Sequence, residues 1–208
     1  MANGPVPARR IVRRLAELAD LVVCADGGAN IARKHGIRPD IILGDLDSVL
    51  ASTKTFYRRV PLLAAEDQDS TDLEKAISFC VARKISSVDI LGATGERIDH
   101  TAGSLGCFKR FGDTIQLRFI DSFGELFRVG RHMRMNMRKG EKLSLIPLGR
   151  CVGVTTRNLK YPLTNEFLEL GVREGISNEA TAPHVSISVR QGVLLIYRMR
   201  AKASWRPF

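Results

Sequence analysis

The residues of this chain best suited to chemistry are aspartates, and they come in clusters. Asp45 and Asp47 stand one residue apart, directly after the apolar run Ile41-Ile42-Leu43 and Gly44. Asp67, Asp69 and Asp72 crowd a second short segment, and Asp26 closes a third apolar run, Leu21 to Ala25. If the chain stays extended through Asp45 and Asp47, a spacing of two puts both carboxylates on one side. Like charges that close repel unless a cation lies between them. Hard oxygen ligands suit Mg2+, which takes one or two carboxylates together with substrate phosphates. A plainer reading competes. Asp69, Ser70 or Thr71 can cap a helix that opens there, and acidic residues suit its positive end. Capping accounts for one or two of the carboxylates and poorly for four. Likewise, an isolated Asp-x-Asp after a strand is most simply an acidic turn.

The elements that must position these groups follow from the apolar pattern. Arg9 to Ala19 reads as a helix, with Ile11, Val12, Leu15 and Leu18 on one stripe and arginines facing out. Leu21–Ala25, Ile41–Leu43, Val60–Leu63 and Ser87–Leu91 are short apolar runs of the kind that form buried strands. Helices are predicted from about Ala29 to His35, from the acidic segment to about Arg83, and from His100 to about Phe111. Strand, Gly- or Asp-bearing loop and helix thus alternate through residues 1–120, which predicts a parallel sheet with its site at the carboxyl ends of the strands. The turn Asp26-Gly27-Gly28, between a strand and a helix start, is a candidate anion or nucleotide site. A tight turn is the alternative. Arg97, in the loop Gly95-Glu96-Arg97-Ile98-Asp99, can meet a phosphate or pair with Asp99.

After Gly112 the texture changes to short alternating runs: 115–120, 125–129, 132–137, 142–146, 152–156, 184–189 and 193–197. Turns containing Gly or Pro separate many of them, which predicts an all-β second domain, a sandwich or partial barrel. The polar stretch from Asn158 through Glu179 reads as a loop that contacts something.

The totals narrow the function classes. With 208 residues the chain is long enough for one large or two small domains. Hydrophobic residues make up 44% and charged residues 26%, the balance of a soluble globular protein. No run approaches the roughly 20 apolar residues of a membrane span, and the first residues lack the apolar centre of a signal peptide. A cytoplasmic protein without membrane attachment is expected. The four cysteines, Cys24, Cys80, Cys107 and Cys151, lie too far apart for a Cys-x-x-Cys zinc pair and fit no disulfide framework. The net charge of +10 favours anionic partners, nucleotide or nucleic acid. Aromatic content of 6%, with basic residues scattered apart from a cluster at 128–142, argues against a base-stacking RNA platform.

Taken together, Ala25-Asp26-Gly27-Gly28-Ala29-Asn30, Gly44-Asp45-Leu46-Asp47-Ser48, Asp67-Gln68-Asp69-Ser70-Thr71-Asp72 and Leu91 through His100 resemble the thiamine pyrophosphokinase family. Leu159-Lys160-Tyr161-Pro162-Leu163 and Gly175-Ile176-Ser177-Asn178-Glu179 extend the resemblance over about residues 21–198. Each motif is modest alone; six in order are specific. The resemblance implies an α/β N-terminal domain with a Rossmann-like parallel sheet (residues 1–120), followed by an all-β sandwich C-terminal domain (121–208) for thiamine binding and dimerisation. It implies a homodimer, thiamine in a cleft between subunits, and pyrophosphate transfer from ATP to the thiamine hydroxyl with release of AMP. By motif, Asp45, Asp47 and Asp72 hold Mg2+. Asp26, Gly27, Gln68 and Thr71 contact nucleotide or thiamine, and Arg97 and Asp99 line the nucleotide side. Ser177 and Asn178 come from the β domain toward the partner's site. Asp72 or Asp99 is the candidate proton acceptor, and Arg97 stabilises phosphate charge.

Two departures from the family pattern stand out. Asn3-Gly4 lies almost at the start, so the apolar strand that usually precedes Asn-Gly is expected to be missing. Asn158 stands where Gly is common. Two other functions stay open from the residues: the same ATP chemistry, or a phosphohydrolase, acting on another substrate, and a basic nucleotide- or RNA-binding protein without catalysis.

Overall fold

A computed structural model describes residues 1–65, 67 and 69–200. The chain forms two compact units, Met1–Ser122 and a second unit that begins at Phe123.

The first unit is built from parallel strands and helices. Its elements are α1 (Arg9–Leu18), β1 (Val23–Ala25), α2 (Gly28–His35), β2 (Ile41–Gly44), α3 (Ala51–Phe56), β3 (Leu62–Ala64), α4 (Asp72–Ala82), β4 (Ser87–Leu91), α5 (Ile98–Arg110) and β5 (Gln116–Ile120). β1 pairs in parallel with β2, Cys24 opposite Ile42, and β2 pairs in parallel with β3. β4 and β5 form a second parallel pair. Thus the run at 115–120 belongs to the α/β unit and not to the β-rich texture that follows it. α1 buries Ile11, Val12 and Leu15 and exposes its arginines. Those side chains join Cys24, Ala29, Ala32 and Ile42 in the core. α2 stops at Gly36, whose left-handed φ of 71° lets its N–H reach the carbonyls of Ala32 and Arg33. α4 opens with a capping box: Thr71 Oγ1 accepts from Glu74 N, and the Glu74 carboxylate accepts from Thr71 N. α3 is a short, mostly polar helix that buries Thr53.

The amino end takes a place that the sequence pattern did not predict. Met1–Gly4 runs between β1 and β4. Met1 N donates to Val23 O (2.5 Å), and Ala25 N donates to Met1 O (2.9 Å). On the other side Ala2 N donates to Leu91 O (2.8 Å) and Gly4 N to Gly92 O (2.9 Å). These few residues therefore lie where a strand between β1 and β4 would lie. The Gly27-Gly28 pair is shaped around them. A Cβ on Gly28 would sit 2.1 Å from Met1 O, and one on Gly27 would sit 2.4 Å from the Asn3 side chain.

The second unit comprises β6 (Gly124–Arg128), β7 (His132–Asn136), β8 (Lys142–Pro147), β9 (Cys151–Arg157), β10 (Glu166–Leu168), β11 (Gly175–Glu179), β12 (His184–Ser188) and β13 (Leu194–Met199). Antiparallel pairing orders them β11-β8-β13-β6 and β10-β9-β12-β7. Leu143, Leu145, Leu194 and Ile196 of the first sheet pack with Val154, Leu168, Val185 and Ile187 of the second, giving a sandwich core. The stretch 158–179, read as a loop, contains β10 and β11. Both are short and both carry register shifts, between Glu166 and Phe167 and between Gly175 and Asn178. Such bulges break the alternation by which a strand is recognised. Asn158 adopts φ 63°, the left-handed conformation that Asn tolerates best after Gly. All four cysteines are buried and free. Among the described residues no helix is long and apolar enough to cross a membrane.

The close approach at Gly28 generates a test. Gly28→Ala must displace the Met1–Gly4 segment and is expected to cost about 1–3 kcal/mol of stability by overpacking. Urea denaturation measures it; an unchanged midpoint contradicts the packing described.

Candidate active site

The acidic motifs meet at the carboxyl ends of β1 and β2 and the start of α4. Asp26 follows β1 directly, in a left-handed conformation (φ 42°), and is 6% exposed. Its backbone N–H is bonded to Leu43 O on β2 (2.8 Å), which ties the two strand ends together. Its Oδ1 is buried without a hydrogen-bond partner among the described residues. Asp45 follows β2, and Asp72 is the first residue of α4. One carboxylate oxygen from each of Asp26, Asp45 and Asp72 lies within 4.8 Å of the others.

Asp47 is not in this group. Leu46 turns left-handed (φ 65°), so the chain is not extended between the two aspartates, and the spacing of two does not place them on one side. Instead Asp47 N donates to Asp45 Oδ1 (3.2 Å), and the Asp47 carboxylate accepts from Ser48 Oγ (2.9 Å). The third member is Asp26, from the preceding strand. Its signal in the sequence was its place at the carboxyl end of a strand.

Gly44 makes the gathering sterically possible. Its φ of 141° is one that side chains rarely adopt, and a Cβ there would lie 2.9 Å from Asp72 Oδ1 and 3.0 Å from Asp26 Cβ. The electrostatics are those of an acid cluster in which Lys75 is paired with Asp72 and two carboxylates stand beside that pair. Burial, and then the charges of Asp45 and Asp26, push the Asp72 carboxyl above its ordinary value, while Lys75 (Nζ to Oδ1 3.4 Å) pulls it down. A buried, unpartnered carboxylate oxygen beside two further carboxylates is a donor set that fits a hard divalent cation such as Mg2+.

The remaining predicted site residues divide. Thr71 uses its hydroxyl in the α4 capping box, which accounts for its type at this position. Gln68 lies outside the described residues. Asp67 is exposed, and it accepts from Asp69 N (2.9 Å) and Ser70 Oγ, which hold its carboxyl below the usual range. Gly27 stands at the N-terminus of α2 against Asn3, so the glycine pair has a packing reason independent of any anion. Arg97 and Asp99 face solvent and pair with each other, Nε to Oδ1 at 3.1 Å and a second guanidinium nitrogen to Oδ2 at 2.5 Å. That fork draws the Asp99 carboxyl down to about 2.

In the second unit, Ser177 and Asn178 lie on β11. Ser177 is exposed at φ 59°. Asn178 is buried, and its side chain is committed: Oδ1 accepts from Tyr161 N (3.1 Å) and Glu179 N (2.9 Å), and Nδ2 donates to Tyr161 O (2.8 Å). Asn178 thereby fixes the Leu159–Leu163 segment, whose Tyr161 ring is left exposed. This positioning role was not readable from the motif.

An α/β unit that collects carboxylates at its strand ends, followed by a β-sandwich unit, is an architecture that comparison with known proteins identifies. Residues 12–118 match the model of the thiamin pyrophosphokinase catalytic domain, and residues 132–194 match that of the thiamin pyrophosphokinase vitamin B1 binding domain. Thiamine pyrophosphokinase 1 of Arabidopsis thaliana is 32% identical over 199 residues, covering 81% of this chain and 74% of that protein. Thiamine pyrophosphokinase of Bacillus subtilis is 28% identical, covering 95% and 96%. The crystal structure of the Bacillus subtilis enzyme superposes with a TM-score of 0.82 at 24% identity over 95% of this chain and 96% of its own. Thiamin pyrophosphokinase from Candida albicans gives 0.87 at 17% identity, over 96% and 88%. The chain belongs to the thiamine pyrophosphokinase family.

Two outcomes test this geometry. Gly44→Ala is expected to push Asp26 and Asp72 apart, and the affinity with which the group would hold a divalent cation such as Mg2+ should fall about tenfold or more. Titration calorimetry checks this, and unchanged affinity removes Gly44 from the site. For Asp99, whose pKa is depressed, the contribution of the Arg97 pair is present above the ordinary Asp value and lost as pH falls through about 2. In Arg97→Ala, NMR titration of the Asp99 carboxyl should move up toward the ordinary value of about 3.9.

Proposed function

We propose that this chain is a Mg2+-dependent ATP:thiamine diphosphotransferase, and that the group Asp26, Asp45 and Asp72 holds the ion. The observation that carries the reading is that three-carboxylate group, with a buried and unpartnered Asp26 oxygen, in a member of this family. Family membership supports ATP as the phosphate donor and thiamine as the acceptor.

The reaction joins the thiamine hydroxyl oxygen to the β-phosphorus of ATP and breaks the bond from that phosphorus to the oxygen bridging it to the α-phosphate. AMP leaves with the bridging oxygen, and the hydroxyl proton passes to a base. When bound, Mg2+ neutralises charge on the triphosphate. The chain's own residues set the geometry. Asp26, Asp45 and Asp72 fix the ion at the strand ends, and their rigid frame orients the phosphates in line. Arg97, released from Asp99 by a phosphate, stabilises charge on the nucleotide. Asp72 or Asp99 takes the proton. Asp47 is not assigned to the ion. Ser177, exposed on β11, contacts thiamine, and Asn178 acts by holding the segment beside it. A homodimer in the cytoplasm, with the site shared between subunits, completes the reading.

Product analysis tests it. Purified protein with Mg2+, ATP and thiamine should yield AMP and thiamine diphosphate in equal amounts. Asp72→Asn, at wild-type fold by circular dichroism, should lower turnover about a hundredfold or more. ADP with thiamine monophosphate as products overturns the pyrophosphoryl step; near-native turnover in Asp72→Asn overturns the ion site.

A further inference from the structure

The chain passes from α2 to β2 through Gly36-Ile37-Arg38, and from α3 to β3 through residues 57–61. Between these two turns lies a hollow of about 470 Å3, lined by Gly36, Arg38, Phe56, Arg58 and Arg59 among others. Tyr57, a buried lining residue, ties the turns together: its hydroxyl donates to Ile37 O (2.5 Å). The hollow stands at the amino ends of β2 and β3, whereas Asp45 follows the carboxyl end of β2. It is therefore separate from the acidic group.

Its charge is of one sign. Arg38, Arg58 and Arg59 are exposed, and among the described residues their side chains have no hydrogen bond or ion pair. No carboxylate lines the hollow. Asp40, the nearest in sequence to Arg38, accepts from Val22 N instead (2.7 Å). Two further guanidinium groups approach from α1. A Cβ on Gly36 would lie 3.1 Å from a terminal nitrogen of Arg9 and 3.7 Å from one of Arg13. Burial first, and then the charges of Lys34 and Arg9, hold the neighbouring His35 imidazole below its ordinary pKa. A plainer role for the arginines is to complement the negative ends of α2 and α3, which both finish here. Each such end amounts to about half a charge at most. Part of it is already met, because Ala32 O and Arg33 O accept from Gly36 N, His35 O from Arg9 Nε (3.2 Å), and Thr53 O from Tyr57 N (2.9 Å). Three unpaired cations exceed what remains.

We propose that this hollow binds a small anion with two or more linked phosphates, held by Arg38, Arg58 and Arg59. The guanidinium group is a rigid planar fork that matches phosphate oxygens two at a time, and its charge persists at any physiological pH. Several forks around one concavity suit several phosphates better than one. The volume falls within the range of small-ligand clefts, about 300–1,000 Å3. Nucleic acid fits less well, since a single strand is held by a groove with aromatic platforms for successive bases. Phe56 is the exposed ring of this hollow, and Arg33 already lies over it at 5.0 Å from the centroid. The ligand is thus read through its phosphates, which inorganic polyphosphate and a nucleotide share.

The test titrates the chain of residues 1–208 with sodium tripolyphosphate by calorimetry, at about 0.15 M ionic strength so that diffuse attraction is screened. EDTA is present, so the acidic group holds no cation. One-to-one saturation is expected, and in an amide NMR titration the shifts should centre on residues 33–38 and 56–60. Arg38→Gln, Arg58→Gln and Arg59→Gln together, at wild-type fold by circular dichroism, should weaken binding at least tenfold. Arg131→Gln, Arg134→Gln and Arg138→Gln together remove the same charge from exposed positions of the second unit and should change it less than twofold. ATP without metal that binds as tightly as tripolyphosphate makes nucleotides a source of the ligand; tenfold weaker ATP confines it to free polyphosphate. Either result agrees with the proposal. Absent saturation, shifts elsewhere, undiminished binding in the first triple variant, or an equal loss in the second each overturns it. So does single-stranded RNA that binds more tightly than tripolyphosphate and is lost in the first variant. Every arm reads binding without Mg2+, so its failure is distinct from failure of the proposed activity.

Discussion

Three carboxylates held within 4.8 Å of one another repel, and the first unit is organised around resisting that repulsion. At about 4 Å, a pair of unit charges interacts by about 1 kcal/mol in water and about 4 kcal/mol at the effective dielectric of a protein surface. No single contact here offsets such a term; a frame does. The Asp26 N–H bond to Leu43 O joins the ends of β1 and β2. The Thr71–Glu74 capping box fixes the first turn of α4, and its positive end favours a carboxylate at Asp72. Lys75 supplies one cation at 3.4 Å. Burial first, and then the charges of Asp45 and Asp26, raise the pKa of Asp72. Under the proposed function, this repulsion is what a divalent cation held by the group would relieve.

The parts of this arrangement that depend on elements were legible in the sequence. Apolar runs ending in Gly or Asp gave the parallel strands, and strand-end logic pointed to Asp26 as well as Asp45. Parts that depend on single backbone angles were not legible. Nothing in Asp45-Leu46-Asp47 announces that Leu46 turns left-handed, yet that one angle separates the pair. The same limit hid β10 and β11. Bulges at Glu166/Phe167 and Gly175/Asn178 interrupt their alternation, and Ser177 sits in a left-handed turn within β11. The polar stretch 158–179 reads as a loop in sequence yet holds β10 and β11, and Asn178 spends its hydrogen bonds inside the fold.

Glycine illustrates how one residue type carries different reasons. Gly44 is required where a side chain would enter the carboxylate group, and its φ of 141° adds a second requirement. Gly28 has an ordinary helical conformation but faces Met1 O at a distance no side chain permits. The sequence pattern leaves the Gly27-Gly28 pair open between an anion site and a tight turn. The structure adds a packing reason, the close approach of Met1–Gly4, which links that segment to the strand that carries Asp26.

The charge distribution then bears on how the proposed substrates reach the site. The chain carries +10 overall, which raises the local concentration of a polyanion such as ATP. The carboxylates at the strand ends act in the opposite sense at short range, where a bare triphosphate meets three like charges. Long-range attraction and short-range repulsion are reconciled only if the nucleotide and its cation arrive together, or if the cation is already held. Under the proposed function the acidic group is therefore a gate as well as an ion site. It disfavours nucleotide that lacks a metal, and once neutralised it leaves Arg97 and the basic surface to hold the phosphates. Cationic thiamine experiences the reverse sequence, repelled by the whole molecule and drawn by the carboxylates. One acidic cluster on a basic protein can thus favour both partners of a transfer between an anion and a cation.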